Sequence, residues 1–145
     1  MTQLEALKEI ARRDGGLLRP AAVVEAAMDE NSPLHSAFCW DDTVAAEKYR
    51  ILQAQHLIRS IRVEVEDCGE KIEVPVFVGV SADRDGSSAE NPYRILEDMK
   101  QMPDLMRCAV NDAIEQLEAL RIRYQHLKEL ADVWAAIAKH KRSKA

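Results

Sequence analysis

The sequence predicts an α+β protein that is mainly α-helical, with three N-terminal helices, a β-hairpin and one long C-terminal helix. Three observations predict this class. Apolar residues recur at helical spacing over residues 1–60, alternate with polar residues over 61–80, and follow a heptad pattern after residue 104. Aromatic residues make up only 5% of the chain, so we expect an aliphatic, alanine-rich core.

At 145 residues the chain is long enough for one domain with a buried core. We divide it into a helical domain with a β-hairpin over residues 1–80, a linker with a short helix over 81–103, and a long helix with a basic tail over 104–145. The polar stretch SADRDGSSAENP, rich in residues that break helices and strands, marks the linker.

Glycine and proline delimit the first two helices. Apolar residues at helical spacing predict a helix over residues 2–13, and Gly15-Gly16 ends it. Pro20 suits the first turn of a second helix, because its missing N–H would be unpaired there in any case. We expect this second helix to continue to about Asp29.

A third helix is predicted from about Thr43 to Ser60. The residues Asp41, Asp42 and Thr43 provide an N-cap and negative charge at the positive end of the helix dipole. The side chains expected on its buried side are Val44, Ala45, Tyr49, Leu52, His56 and Ile58.

Residues 61–80 predict a β-hairpin, because the period of apolar residues changes from helical to two. The first strand begins at Ile61, and the second runs from Ile72 to Val80. Between them Gly69 can adopt the positive φ of a tight turn. Pro75 cannot donate a ladder hydrogen bond, which places it at a sheet edge or turns it outwards.

The C-terminal region has the strongest pattern in the chain. Tyr93–Gln101 predicts a short helix, and a long continuous helix follows from about Asp104 to Lys139. Alternating spacings of four and three residues align ten side chains along one flank. We call these residues the C-terminal seam: Met106, Val110, Ala113, Leu117, Leu120, Tyr124, Leu127, Ala131, Trp134 and Ala138. The seam predicts pairing between copies, and folding back onto the N-terminal domain is the alternative.

Composition excludes several functional classes. The net charge of −5 argues against a dedicated DNA-binding protein, although a local basic patch would still suffice. Three widely spaced cysteines without a CxxC pair suit a reducing compartment. No segment has the length of a membrane span or the apolar region of a signal peptide. We therefore expect a cytoplasmic protein with no membrane partner.

Catalytic and metal-binding readings are both weak. His35 and Cys39 are four residues apart, but a metal site needs three or four ligands. Asp41, Asp42 and Glu47 could form an acid–base set with a histidine, yet paired acids at a helix start are usually caps. The sequence contains no GxSxG, Walker A, HExxH or dinucleotide-binding glycine pattern. We predict a non-enzymatic protein without cofactor or metal.

The element order favours a nucleic-acid role. Three helices followed by a hairpin is the order of a winged helix-turn-helix, in which the third helix enters a DNA groove. The hairpin opposes this reading, because it carries five acidic residues that would repel phosphate. The candidate nucleic-acid contacts on the third helix are Lys48, Arg50, Gln53, Gln55 and Arg59.

Residues 15–61 resemble a family of small uncharacterised proteins of temperate phages and prophages. The matching residues are Arg19-Pro20, Val23-Val24-Glu25-Ala26-Ala27, Ser32-Pro33-Leu34-His35, Trp40-Asp41-Asp42, Ala45-Ala46, Tyr49-Arg50, Gln55 and Leu57-Ile58-Arg59. The likeness continues loosely through the hairpin, Tyr93-Arg94 and the C-terminal helix. The resemblance implies a phage gene product that works in a bacterial cytoplasm, and it implies no activity.

Two functions from different classes follow. The first is a phage-encoded, oligomeric, non-catalytic protein that associates with DNA in a regulatory or accessory role. The second is an oligomeric adaptor that binds a host or phage protein through the acidic hairpin or the connector Leu34–Trp40, without nucleic acid.

Overall fold

The computed structural model describes residues 1–41, 44–85 and 91–143. Over these residues the protein is α+β and about 61% helical, with six α-helices and two small antiparallel sheets, which confirms the predicted class. The helices are α1 (Gln3–Arg13), α2 (Pro20–Ala27), α3 (Val44–Ser60), α4 (Leu96–Met99), α5 (Pro103–Tyr124) and α6 (Ala131–Ser143). The strands are β1 (Leu17–Leu18), β2 (Arg62–Asp67), β3 (Glu70–Pro75), β4 (Phe77–Val78) and β5 (Tyr93–Ile95).

Helix α1 is closed at both ends by local hydrogen bonds. The Thr2 hydroxyl accepts from the Glu5 N–H at 3.2 Å, and the Glu5 carboxylate accepts from the Thr2 N–H at 2.7 Å. These bonds from Thr2 lower the pKa of Glu5 below its ordinary value. At the other end Gly15 and Gly16 have φ of +62° and +92°, which glycine adopts without a steric penalty, and the predicted stop is confirmed.

The core lies between the first three helices and a small sheet. Helix α2 packs on α3, and α1 contacts both α2 and β1. Leu7, Leu18, Val23, Leu34 and Ile58 are completely buried at this junction. Aliphatic side chains dominate the cluster, as the low aromatic content predicts.

The first sheet draws its strands from three separate parts of the chain. Strand β5 lies between β1 and β4 and pairs antiparallel with both, with Leu17 opposite Arg94 and Phe77 opposite Ile95. The prediction of one helix over Tyr93–Gln101 is wrong, because its first three residues form this central strand and only Leu96–Met99 is α-helical. The segment interpreted as a linker therefore contributes to the core.

Strands β2 and β3 form a separate two-stranded ribbon. Cys68 and Gly69 both have positive φ in its turn, at +51° and +82°, so the predicted turn geometry at Gly69 is confirmed. The predicted second strand is interrupted after Pro75, which has no N–H to donate. The chain then leaves the ribbon, and Phe77-Val78 joins the first sheet instead.

Helix α3 buries a different face from the predicted one. Tyr49 and Leu52 are 54% and 59% exposed, and His56 is also exposed. Ala54 and Ile58 are completely buried instead. Apolar residues occur on both sides of this helix, so its periodicity alone does not select a face, and packing against α2 decides it. The predicted cap residues Asp42 and Thr43, and the side chains of residues 44–45, lie outside the described part.

The predicted continuous C-terminal helix is wrong, because the chain breaks after Tyr124. Leu127 is extended, with φ −88° and ψ +94°, and a 3₁₀ turn over Lys128–Leu130 leads into α6. Helix α6 packs on α5, and Ile137 is 9% exposed. The break lets one chain bury apolar side chains that a straight, isolated helix would leave in water.

Candidate functional site

The connector before α3 is held by a stack of three side chains. The rings of His35 and Trp40 lie parallel with centroids 4.9 Å apart, and the Arg50 guanidinium lies 4.9 Å from the Trp40 ring. The Nδ1 atom of His35 is 2.8 Å from the Ala27 carbonyl oxygen, so Nδ1 carries the proton and donates. The predicted alternative of a metal ligand at His35 is not needed to explain this histidine.

Helix α3 binds the backbone of Cys39 through two side chains. Arg50 Nε donates to the Cys39 carbonyl oxygen at 2.8 Å, and Gln53 Oε1 accepts from the Cys39 N–H at 3.1 Å. Arg50 is only 8% exposed and Gln55 only 9%. The placement of Arg50, Gln53 and Gln55 therefore assigns them to internal contacts, which argues against the predicted nucleic-acid contacts at these three positions.

The other two predicted nucleic-acid contacts, Lys48 and Arg59, are exposed on α3.

We call the exposed residues Tyr49, Leu52 and His56 the outer face of α3. This face borders an open groove of about 430 Å³ that Ala37, Gln53, Leu57 and Ser60 also line. Large exposed apolar side chains in a row on one helix are typical of a surface that another molecule covers.

The ribbon has one apolar and one charged face. Val63 lies opposite Val74 and Val65 opposite Ile72, while Glu64 lies opposite Glu73. Val63 and Ile72 are 42% and 40% exposed, so the apolar face is only partly covered. Lys71 pairs with Glu64 across the strands at 3.5 Å. The remaining acidic side chains of the ribbon point to water and would repel a phosphate backbone.

The C-terminal seam is divided between α5, the break and α6. Six of its ten residues are exposed and four are half-buried. Leu117, Leu120, Tyr124 and Leu127 are each between 37% and 40% exposed. Part of the seam thus faces solvent in the single chain, and the contact between α5 and α6 accounts for only some of it.

Cysteine, histidine and carboxylate side chains are dispersed over the described residues. Within residues 1–41, 44–85 and 91–143, no three of them lie close enough together to hold a metal ion. Cys39 and Cys68 are exposed, Cys108 is half-buried, and all three are free thiols. In the same part of the chain, no helix combines the length and the apolar composition that a membrane span requires.

Sequence analysis missed a polar cleft beside the C-terminal half of α3. Arg59 from α3 and Arg84 from the β4–β5 connection line it together, with Gln55, Asn91 and Tyr93. Its volume is about 280 Å³. No local motif signals this site, because Arg59 and Arg84 are brought together only when β4 and β5 pair.

A buried ion pair fixes the edge of this cleft. Arg94 of β5 donates through Nε and a terminal nitrogen to the two carboxylate oxygens of Asp83, at 2.6 Å and 2.8 Å. The side chains are 19% and 11% exposed. The bond from Asp83 raises the pKa of Arg94, although burial opposes the shift. The pair holds the 3₁₀ turn Ser81–Asp83 on the sheet, directly before Arg84.

Comparisons of the chain with protein-family models, with curated protein sequences and with solved structures give no match. Function is therefore argued from the geometry of the described residues. Four surfaces of the described residues are candidates for binding another molecule. They are the outer face of α3, the acidic ribbon, the exposed part of the C-terminal seam, and the cleft between Arg59 and Arg84.

Proposed function

We propose that this protein is a non-catalytic, oligomeric DNA-associated protein with a regulatory or accessory role. The observation that carries the proposal is the order of elements around the first sheet. Helix α1, strand β1, helices α2 and α3, and strands β4 and β5 occur in this order, with the ribbon β2–β3 inserted between α3 and β4, and β5 lies between β1 and β4 in the sheet. This order resembles that of a winged helix, and the resemblance supports the proposal by analogy of fold.

The available basic residues lie on and beside α3, the helix that would face DNA. Lys48 and Arg59 are exposed on this helix, and Arg84 lies across the cleft from Arg59. The exposed Leu52 offers an apolar contact of the kind that proteins make with thymine methyl groups. The ribbon, with its carboxylates, is expected to point away from the phosphates.

The connector between α2 and α3 is longer than the turn of a helix-turn-helix. The segment between α2 and α3 spans residues 28–43, whereas the turn of a helix-turn-helix usually has three or four residues. The long connector is packed on α3 through Trp40 and Arg50. We therefore propose that α3 and its neighbours associate with DNA mainly through phosphate contacts.

The test is fluorescence anisotropy of a labelled mixed-sequence duplex at about 50 and about 200 mM salt. If about four phosphates are contacted, affinity should fall roughly a hundredfold between the two salt concentrations. Lys48→Ala should weaken binding for every sequence, while Arg123→Ala on α5 serves as a control that removes one exposed positive charge elsewhere. Absent or salt-insensitive binding by folded protein would refute the DNA proposal.

A second candidate function is supported by the outer face of α3. Tyr49 and Leu52 are more than half exposed on a helix that is otherwise packed, and they border the 430 Å³ groove. Such a face suits an oligomeric adaptor that binds another protein of the host or of a phage. The partner in this alternative is either a host protein or a phage protein, the two classes that the sequence analysis considered.

The adaptor reading is tested with the double variant Tyr49→Asp plus Leu52→Asp in a pull-down from bacterial lysate. Loss of a stoichiometric partner from the variant, with DNA binding absent in the wild type, would favour the adaptor. A matched control is Glu47→Ala plus Lys48→Ala, which changes the two exposed polar residues directly before Tyr49. Equal recovery of the partner by the double variant and the wild type would count against this surface.

A further inference from the structure

We infer that a groove under the apolar face of the ribbon binds an aliphatic carboxylic acid of about eight carbon atoms, with Lys8 at its carboxylate. The groove lies between the ribbon, α1 and α4, and its volume is about 210 Å³. We call it the ribbon groove. None of the described residues that line it belongs to α3. The inference therefore goes beyond the proposed function and does not depend on it.

The walls of the ribbon groove are mainly apolar. Val63, Val65 and Val74 form the side that belongs to the ribbon, and Leu4 of α1 and Leu96 of α4 contribute to the others. Val63 is 42% exposed although it lies on the apolar face, so the ribbon stands over the groove without filling it. Such walls offer water few hydrogen-bond partners, and an apolar chain that displaces this water is bound favourably.

The floor of the ribbon groove is part of the core. Val76 and Ile95 line it and are only 6% and 3% exposed. The Leu96 N–H donates to the Val76 carbonyl oxygen at 2.8 Å, and the Val76 N–H donates to the Ile61 carbonyl oxygen at 3.2 Å. These bonds tie the base of the ribbon to the first sheet. The groove is therefore formed before a ligand arrives, as small-molecule sites usually are.

Lys8 provides the charge that selects the ligand. It lies one turn after Leu4 on α1, and both side chains line the ribbon groove. Lys8 is half-buried, and among the described residues none forms an ion pair or a hydrogen bond with its side chain. A lysine stem packs along apolar surface while its ammonium group stays in water. A carboxylate at the end of a bound chain would supply the missing opposite charge.

The other cation at the ribbon groove already has a partner. Lys100 Nζ lies 3.0 Å from the Glu97 carboxylate, and both residues line the groove. Their charges cancel, so Lys8 leaves the lining with one uncompensated positive charge in a chain of net charge −5. The ribbon groove therefore favours an anionic head group over a neutral or a cationic one.

The volume sets the length of the apolar chain. An apolar cavity of about 150 Å³ in another protein accommodates benzene, and by proportion the ribbon groove holds roughly eight non-hydrogen atoms. Octanoate matches this size when its carboxylate lies beside Lys8 at the solvent edge. A shorter acid leaves apolar wall uncovered, and a longer acid extends into water.

The experiment titrates the full-length, ¹⁵N-labelled protein with butanoate, hexanoate, octanoate and decanoate below their micelle-forming concentrations. We expect saturable amide shifts at Val65, Val76 and Leu96. Affinity should rise about fourfold for each added CH₂ up to octanoate, because each buried CH₂ adds a similar increment of transfer free energy. Decanoate should bind little more tightly than octanoate, since the groove is then full.

Octanol tests the role of the charge, because it carries the same chain without a carboxylate. Octanoate should bind about fivefold more tightly than octanol. Lys8→Met keeps an apolar stem and removes the ammonium group, so it should weaken octanoate about fivefold and leave octanol unchanged. The control is Lys128→Met, which removes the same charge from an exposed position in the turn before α6 and should change neither affinity.

Val63→Phe tests the groove itself. The larger ring would occupy the groove and should abolish binding of both octanoate and octanol, while the partly exposed position leaves the core unchanged. Unfolding midpoints show that each variant is folded. Shifts that do not saturate, or an affinity that does not rise from butanoate to octanoate, would overturn the inference. Equal affinity of wild type and Lys8→Met for octanoate would also overturn it.

Discussion

At the scale of single residues, Arg50 shows how a charged side chain becomes part of a core. Its guanidinium lies over the Trp40 ring, and its Nε donates to the Cys39 carbonyl oxygen. These two contacts compensate for the loss of water around the buried charge. The connector consequently has a defined path into α3. The same contacts remove Arg50 from the surface on which a phosphate could bind.

Arg50→Ala should lower the free energy of unfolding by about 2 kcal/mol, since it removes a hydrogen bond from a charged donor and a cation–π contact. Urea unfolding followed by tryptophan fluorescence measures this change. Arg13→Ala is the control, because the Arg13 side chain is 74% exposed and its ion pair with Glu9 lies on the surface; the expected change is below about 0.5 kcal/mol. Equal midpoints for Arg50→Ala and wild type would contradict the role assigned to the stack.

At the scale of elements, the ribbon β2–β3 carries a like-charged pair in its middle. Glu64 and Glu73 lie directly opposite on the charged face, and Lys71 lies 3.5 Å from Glu64, where it offsets part of the repulsion. The opposite face, which contains Val63 and Ile72, is about two-fifths exposed. Because a two-stranded ribbon is only marginally stable alone, its half-buried Val65 and Val74 contribute to holding it in place.

Glu73→Lys should raise the stability of the protein by about 0.5 kcal/mol, because an opposite-charge pair replaces a like-charge pair across the strands. The measurement is the midpoint of urea unfolding at low and high salt, and the gain should shrink when salt screens the charges. Glu30→Lys, at an exposed position of the connector between α2 and α3, changes the net charge equally without changing the ribbon. A larger gain for that control would show that net charge alone is responsible.

At the scale of the whole molecule, the exposed part of the C-terminal seam is the best candidate for contact between copies. Leu117 and Leu120 are 37% and 40% exposed on a helix that has no buried residue among those described. The intrachain contact with α6 covers only part of that flank. If copies of the chain pair as the seam predicts, we expect them to meet through the outward side of α5 around these two leucines.

Leu117→Asp plus Leu120→Asp should convert the oligomer into a monomer without unfolding it, because both side chains are partly exposed in the single chain. Light scattering coupled to gel filtration gives the mass, and circular dichroism shows whether the helices remain. Gln116→Asp plus Ala119→Asp is the matched control on exposed positions of the same helix. An oligomer mass that survives the leucine substitutions would refute assembly through this surface.

Local chemistry in the sequence predicted several features correctly. The positive φ of Gly15-Gly16 ends α1, Pro20 begins α2, and Gly69 shapes the ribbon turn. These features depend on the conformations open to one or two residues, which neighbours in space change little. The pairing of β2 with β3 was predictable for a similar reason, because the two strands are adjacent in the chain.

Only the tertiary structure decided which surfaces are buried and which strands pair over long distances. Strands β1 and β5 are two and three residues long, too short for a periodic pattern, and they become strands because they complete each other's hydrogen bonds across 75 positions. Helix α3 has apolar residues on both sides, so packing against α2 selected the buried face and left Tyr49 and Leu52 outside. The cleft between Arg59 and Arg84 likewise exists only after β4 and β5 have paired. Local conformational preference was thus set by the sequence alone, whereas the choice among equivalent faces and the assembly of the candidate site depended on contacts between residues far apart in the chain.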